Sequence, residues 1–213
     1  MSEGRLISFE GLDGAGKTTQ MELLGRWLDK CYIPFVRTRE PGGTPLGVEI
    51  RHLLLNRPEL NITPLAEALL FQADRSQHFA SVVLPALKAG TLVITDRCFD
   101  ASIAYQGYAR GLGADLIEHL SLLATQQRVP DLTILLDLEP VHVQTRTDVT
   151  RDSSGLREAR TRFDAEQEQF HRRVREAFLT LAQAHPERIK VINAAQPPQQ
   201  IHKQIVGLVE PVL

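Results

Sequence analysis

The chain has 213 residues, of which 43 % are hydrophobic and 23 % charged, with a formal net charge of −2. That length suits one well-buried core, the composition is that of a soluble globular protein, and the charge balance argues against a nucleic-acid coat protein, whose footprint is broadly basic. No apolar stretch approaches the ~20 residues of a membrane helix, and the opening MSEGRLISFEG lacks the basic and apolar regions of a secretory signal. Cys31 and Cys98 make no framework and read as reduced thiols of a cytoplasmic protein. The seven histidines are scattered, none at metal-ligand spacing.

Taken in chain order, apolar runs alternate with helical patterns. Leu6–Phe9 reads as a strand, followed by a helix from Lys17. Ile33–Val36 reads as a second strand. A helix begins near Thr63-Pro64, where Thr suits an N-cap and Pro the first helical position. Leu92–Ile94 and Leu132–Leu136 are further strands, a helix spans about Asp164 to Ala184, Ile189–Ile192 is a fifth strand, and a last helix follows Pro197-Pro198. Val-, Ile- and Leu-rich runs of this kind are buried on both faces. The alternation implies one α/β domain over residues 1–213, with a five-stranded parallel sheet flanked by helices on both faces. Ligands of such sheets bind beyond the carboxyl ends of the strands, here after Phe9, Val36, Ile94 and Leu136.

Directly after the first strand, Gly11-Leu12-Asp13-Gly14-Ala15-Gly16-Lys17-Thr18 matches G-x-x-x-x-G-K-[ST] in full. Glycines let the loop turn its backbone N–H groups onto phosphate oxygens, and the following helix adds its positive end. Lys17 supplies a charge for the β/γ-phosphates and Thr18 a hydroxyl for Mg²⁺. The bland alternative is a Gly-rich turn. A P-loop specifies nucleoside triphosphate binding but not the reaction. A regulatory GTPase should also carry N-K-x-D, which does not occur. A kinase needs a second, acceptor pocket.

Three further patterns bear on that pocket. The second strand runs into Thr38-Arg39-Glu40-Pro41-Gly42-Gly43-Thr44, a turn that brings backbone close to a ligand or merely closes a surface corner around an Arg–Glu pair. The third ends in Asp96-Arg97; an acid there can hold a metal through water, and the arginine can grip a phosphate in bidentate fashion, while a structural ion pair is the plain reading. Phe71 and Arg75 lie four apart on one helix face, suited to stacking on a base and reading its carbonyl, or to core packing beside a solvated face. The arginine-rich stretch 144–162, with Arg146, Arg151, Arg157, Arg160 and Arg162 around a Ser-Ser-Gly, reads as a solvated basic loop or short helix pair.

Together, EGLDGAGKTTQ (10–20), TREPGGT (38–44), FQADR (71–75), DRCFDASIAYQG (96–107) and RFDAEQEQFHRRVREAF (162–178) resemble the bacterial thymidylate kinase family, in order and over nearly the whole chain. The resemblance implies phosphoryl transfer from Mg·ATP to dTMP in a cytoplasmic homodimer. It implies an ATP site at Gly11–Thr18 with Thr19. It implies that Phe71 stacks on thymine, Arg75 reads a thymine carbonyl, and Arg97 holds the dTMP phosphate with Arg39 and Arg51. Pro41 and Ser102 would line the acceptor pocket, Asp13 would contact the 3′-hydroxyl, Tyr105 would disfavour a ribonucleotide, and Gln106 would lie over the base. Glu40 and Asp96 would organise Mg²⁺ with Thr18. No residue inside Leu12–Ala15 is basic, so the 144–162 segment would form a small lid. One of its arginines, Arg151 first and then Arg157 or Arg146, would join Lys17 and Arg97 in neutralising the transferring group.

The chain departs from the family at Cys98, where Tyr or His is usual, at Ala101, where a hydroxyl is usual, and at Thr161-Arg162-Phe163-Asp164, where Asp-Arg-Phe-Glu is usual. The competing readings are a kinase for another monophosphate or a deoxynucleoside, and a nucleotide-binding module without turnover. The module would keep Gly11–Thr18 but has no need of Phe71, Arg75, Arg97 and Tyr105 together.

Overall fold

A computed structural model describes residues 3–139, 163, 166 and 168–213. The segment 144–162, including Arg146, Arg151 and Arg157, lies outside the described residues. The strands are β1 (Leu6–Glu10), β2 (Phe35–Arg39), β3 (Leu92–Asp96), β4 (Leu132–Asp137) and β5 (Ile189–Asn193). They form one parallel sheet in the order β2-β3-β1-β4-β5. The chain leaves β1 to build one side of the sheet and returns past it to build the other. The carboxyl ends of β1 and β3 therefore flank the crevice where a doubly wound sheet takes its ligand.

The helices are α1 (Lys17–Lys30), α2 (Pro45–Asn56), α3 (Pro64–His78), α4 (Leu84–Lys88), α5 (Phe99–Ser102), α6 (Ala114–Ala124), α7 (Glu168–Ala184) and α8 (Pro198–Val209). Strand periodicity sorts the core into two layers. Ile7, Phe9, Ile94, Ile134 and Leu136 pack with Met21, Leu24 and Leu28 of α1 and Ile201 and Ile205 of α8. Leu6, Val93 and Leu135 face the other way, against Leu54, Ala68, Ile117, Val174 and Phe178 from α2, α3, α6 and α7.

Several element bounds differ from the sequence reading. β1, β2 and β3 each continue into polar residues, Glu10, Arg37-Thr38-Arg39 and Thr95-Asp96, which an apolar-run reading cuts off. β2 also begins two residues later than expected, beyond Pro34, because Tyr32 takes a left-handed φ of 56° and the chain turns there. Thr63 does stand at the N-cap of α3, but without a side-chain cap bond. The helix α2, capped by Thr44 Oγ1 accepting from Gly47 N at 3.0 Å, is an element the periodicity did not suggest. Backbone widening to i→i+5 bonding follows α3 over Phe79–Val83 and α5 over Ile103–Ala109; the second carries Tyr105 and Gln106, in keeping with the frequent placement of such bulges at functional sites.

One polar cluster crosses the apolar layer. Ser8 and Thr133 share a 2.8 Å hydrogen bond, Thr133 Oγ1 donates to Asp100 Oδ2, and Arg188 donates to both Asp100 oxygens at 2.6 and 2.9 Å. This ties α5, which follows the Asp96–Cys98 turn, to the start of β5. Asp100 is 1 % exposed, so removing its cation leaves a buried charge uncompensated. Arg188→Ala is expected to destabilise the fold by about 3 kcal/mol in urea unfolding, with nucleotide affinity of the folded protein little changed; a loss under 1 kcal/mol would contradict the account.

Candidate active site

The P-loop joins β1 to α1. Gly11 takes φ +129°, and a Cβ there would lie 2.4 Å from the carbonyl oxygen of Leu136, so the first glycine is required by close approach of β4 as well as by backbone conformation. Gly16 sits at φ +97° and hands the chain to α1. Lys17 Nζ donates to the carbonyls of Gly11 and Leu12 at 3.2 and 3.1 Å and lies 3.6 Å from Asp13 Oδ1. Thr18 and Thr19 are exposed on the first turn of α1.

Arg97 brings the acceptor side to this loop. It follows β3 in a left-handed conformation, φ +69°, which side-chain-bearing residues adopt rarely. Its Nη2 donates to Asp13 Oδ1 at 2.8 Å and to Tyr105 Oη at 3.2 Å, and its guanidinium carbon lies 5.0 Å from the Tyr105 ring centre. Its Nη1 is buried without a partner. Partial desolvation would raise the Asp13 carboxyl, but Arg97 and Lys17 outweigh it and hold the group well below the usual carboxylate range. Asp13 is therefore an anion shared by two cations, one from each half of the site.

The wall beyond Arg97 is aromatic. Tyr105 meets Phe163 edge-on at 5.7 Å, and Phe163 lies 6.2 Å from Phe71. Gln106 Nε2 donates to Glu67 Oε1 at 2.8 Å, and Ser102 is buried at the end of α5. Arg110 stacks over Phe163 and Phe170 at 5.5 and 4.6 Å, donates to Glu67 and pairs with Glu166 at 2.6 Å. Glu67, Arg110 and Phe163 were not singled out as site residues from the sequence. Only the Arg110 position, four after Gln106 on a turn of helix, offered a signal.

Two of the residues singled out in the sequence share a buried network. Glu40 Oε2 accepts from Arg75 Nε and Oε1 bonds His78 Nδ1, both at 2.8 Å, with the side chain 2 % exposed. Arg75 is almost fully buried, with Nε on Glu40, Nη1 on Gln72 and Ser121, and Nη2 on the carbonyl of Cys98 at 3.0 Å. Cys98 itself is fully buried and burial pushes its thiol well above the ordinary range, so it packs rather than reacts. Register places Arg39 opposite Asp96, and Arg51 Nη1 donates to the Pro41 carbonyl at 3.1 Å. The Glu40–Pro41 bond is cis. Asp96 Oδ1 is buried without a partner.

Asp74 braces the Pro-Gly-Gly turn by accepting from Gly42 N at 3.1 Å. A Cβ at Gly47 would fall 2.3 Å from the same oxygen. Burial, with the Glu40 carboxylate nearby, pushes Asp74 up to about 6 from 3.8. The native state therefore holds this proton more tightly than the unfolded chain, and the group's contribution to stability falls as pH rises from about 4 to 6. Asp74→Asn keeps the acceptor and removes the titration. Over that window wild type should lose up to about 3 kcal/mol relative to the variant; parallel unfolding profiles from pH 4 to 7 would refute this.

The comparisons agree with the geometry. The family model for thymidylate kinase matches residues 9–205. The chain is 50 % identical to the thymidylate kinase of Clavibacter michiganensis subsp. michiganensis, over 93 % of this chain and 90 % of that one. It is 43 % identical to that of Solidesulfovibrio magneticus, over 97 % and 99 %. The crystal structure of thymidylate kinase from Ehrlichia chaffeensis superposes with a TM-score of 0.77 at 32 % identity, covering 98 % of this chain and 99 % of that one. The family model over residues 9–205, with relatives 50 % and 43 % identical over most of their length, places this P-loop chain in the thymidylate kinase family.

Proposed function

We propose that the chain carries out its family's reaction, transfer of the γ-phosphoryl group of ATP to dTMP giving dTDP and ADP, by bridging the P-loop to the acceptor through Arg97 and Asp13. The observation that carries this is Arg97 Nη1, a buried guanidinium nitrogen without a partner, beside both the P-loop carboxylate and Tyr105. A buried donor of that kind calls for an acceptor, and a phosphate oxygen satisfies it with charge assistance. A non-catalytic module has no use for it.

The residues divide the work simply. The amides of Gly11–Thr18 and the Lys17 charge hold the donor phosphates. Arg97, with Arg39 and Arg51 on the β2 side, holds the acceptor phosphate. Phe71 and Tyr105 bound the base and sugar, and Tyr105 disfavours a 2′-hydroxyl. The acceptor phosphate is ionised at neutral pH, so positioning and charge neutralisation suffice and no general base is required.

A magnesium ion fits the donor set. Among the described residues no group of three His, Cys, Asp or Glu could hold a metal alone, which suits an ion bound by one or two side chains, waters and phosphates. The exposed Thr18 hydroxyl and Asp96, with its unpartnered buried oxygen, are the groups that would hold it. When bound it would neutralise charge between the β- and γ-phosphates.

Lid arginines at 144–162, Arg151 foremost and then Arg157, complete the charge on the transferring group in this proposal. A cytoplasmic location is supported by the two free cysteines. A homodimer is supported by exposed leucines on neighbouring helices, Leu65 and Leu69 on α3 and Leu116 and Leu123 on α6; sedimentation velocity reads this directly.

The test is a coupled ADP-release assay with dTMP, dUMP, ribo-TMP and thymidine as separate acceptors. Turnover should favour dTMP, and Arg97→Ala should lower kcat/KM for dTMP by about 100-fold or more. Arg151→Ala should lower kcat by about 1,000-fold with little change in the KM for dTMP. Equal use of ribo-TMP would remove the role of Tyr105, and preference for thymidine would make the chain a nucleoside kinase.

A further inference from the structure

Glu10 is the last residue of β1 and the residue before the P-loop. Its side chain is fully buried, and no role assigned above uses it. Its Oε1 accepts a hydrogen bond from the backbone N–H of Cys98 at 2.7 Å, while its Oε2 has no partner. A buried carboxyl with one oxygen unsatisfied is costly, so its presence at this point asks what the one bond restrains.

The bond restrains the turn that carries Arg97. Arg97 sits at φ +69°, a conformation that persists only where the surroundings over-determine it. Three buried bonds do so here. The N–H of Arg97 donates to the Phe9 carbonyl at 3.0 Å. The carbonyl of Cys98 accepts from Arg75 Nη2 at 3.0 Å. The N–H of Cys98, the peptide that immediately follows Arg97, donates to Glu10. Cys98 is thus gripped at both ends, from the P-loop strand by Glu10 and from α3 by Arg75. The guanidinium projecting from the gripped turn is the one that reaches Asp13 and Tyr105.

We propose that Glu10 is a positioning residue for acceptor binding, its carboxyl holding the Cys98 amide so that the left-handed turn presents Arg97 to the acceptor phosphate. The inference rests on the reading of Arg97 as the acceptor-phosphate residue. The charged groups around Glu10 are Arg97, Asp100 and Lys17. Burial outweighs the two cations and pushes the carboxyl up to about 8, so its neutral form prevails at neutral pH. Glutamine matches that form in shape and keeps the acceptor oxygen. Methionine fills a similar volume without an acceptor.

The experiment compares Glu10→Gln and Glu10→Met in the full chain, alone and combined with Arg97→Ala. The readouts are thermal unfolding and separate KM and kcat values for dTMP and ATP. Glu10→Met is expected to raise the KM for dTMP at least ten-fold with the KM for ATP within three-fold of wild type, and Glu10→Gln to stay within three-fold on both. In the Arg97→Ala background Glu10→Met is expected to add less than two-fold, because it acts through that arginine. A folded Glu10→Met with an unchanged KM for dTMP overturns the proposal. So does equal loss of both substrates, or a full additional loss on top of Arg97→Ala. Should Glu10→Met not fold, Glu10→Asp, which retracts the acceptor by one methylene, is held to the same expected split. Arg97→Ala with an unchanged KM for dTMP would instead overturn the reading of Arg97, which separates the two failures.

Discussion

The guanidinium of Arg75 lies in the interior with all three of its nitrogens donating: to Glu40 at the end of β2, to Gln72 on its own helix, to Ser121 on α6, and to the carbonyl of Cys98 after β3. Four elements meet on one cation. Such a group is tolerated inside a protein only when it is paired and its hydrogen bonds are met, and these conditions tie the elements to one another. Glu40 is completed by His78, whose other nitrogen shares a 2.6 Å bond with Thr38. This connected network reaches the Cys98 carbonyl, and the P-loop side is joined to the same turn through Glu10 and Asp13.

Electrostatics at the junction follows an alternating pattern. Lys17 and Arg97 are cations brought together by the fold, each disfavouring the other, and Asp13 between them offsets the repulsion. Lys17 and Arg97 are the positive charges that the phosphates of ATP and dTMP would meet there. ATP-dependent phosphorylation of dTMP needs this more than it needs acid–base chemistry. Asp13 is also the one member of the cluster with substantial exposure, its side chain 48 % accessible, which leaves it able to meet a substrate hydroxyl while holding Arg97.

Much of this was legible in the chain itself. Five strands were visible because apolar runs buried on both faces carry a strong signal, and the P-loop because phosphate binding through backbone amides admits few side chains. Asp13, Arg97 and Tyr105 stand in the recognised motifs, and the structure brings Asp13 and Tyr105 together on the Arg97 guanidinium. Arg75 and Glu40 also stand in those motifs, and the structure bonds them to each other and Arg75 to the Cys98 carbonyl. Residue type and spacing could not show that network, since partners met across the core leave no trace along the chain.

The class of chemistry can be read along the chain: a nucleotide cradle after a buried strand, a basic turn after another, and an α/β layering that puts both at one edge. These are local properties, set by neighbours within a turn or a strand. Which charged residues pair with one another in the interior is settled by the packing of the layers. Glu10, Arg75 and Asp100 find their partners at separations of 88, 23 and 88 residues. Burial and pairing across such distances depend on how the layers close. That is why Glu10, a carboxylate plain to see before the P-loop, acquired a meaning only when the Cys98 amide was found upon it.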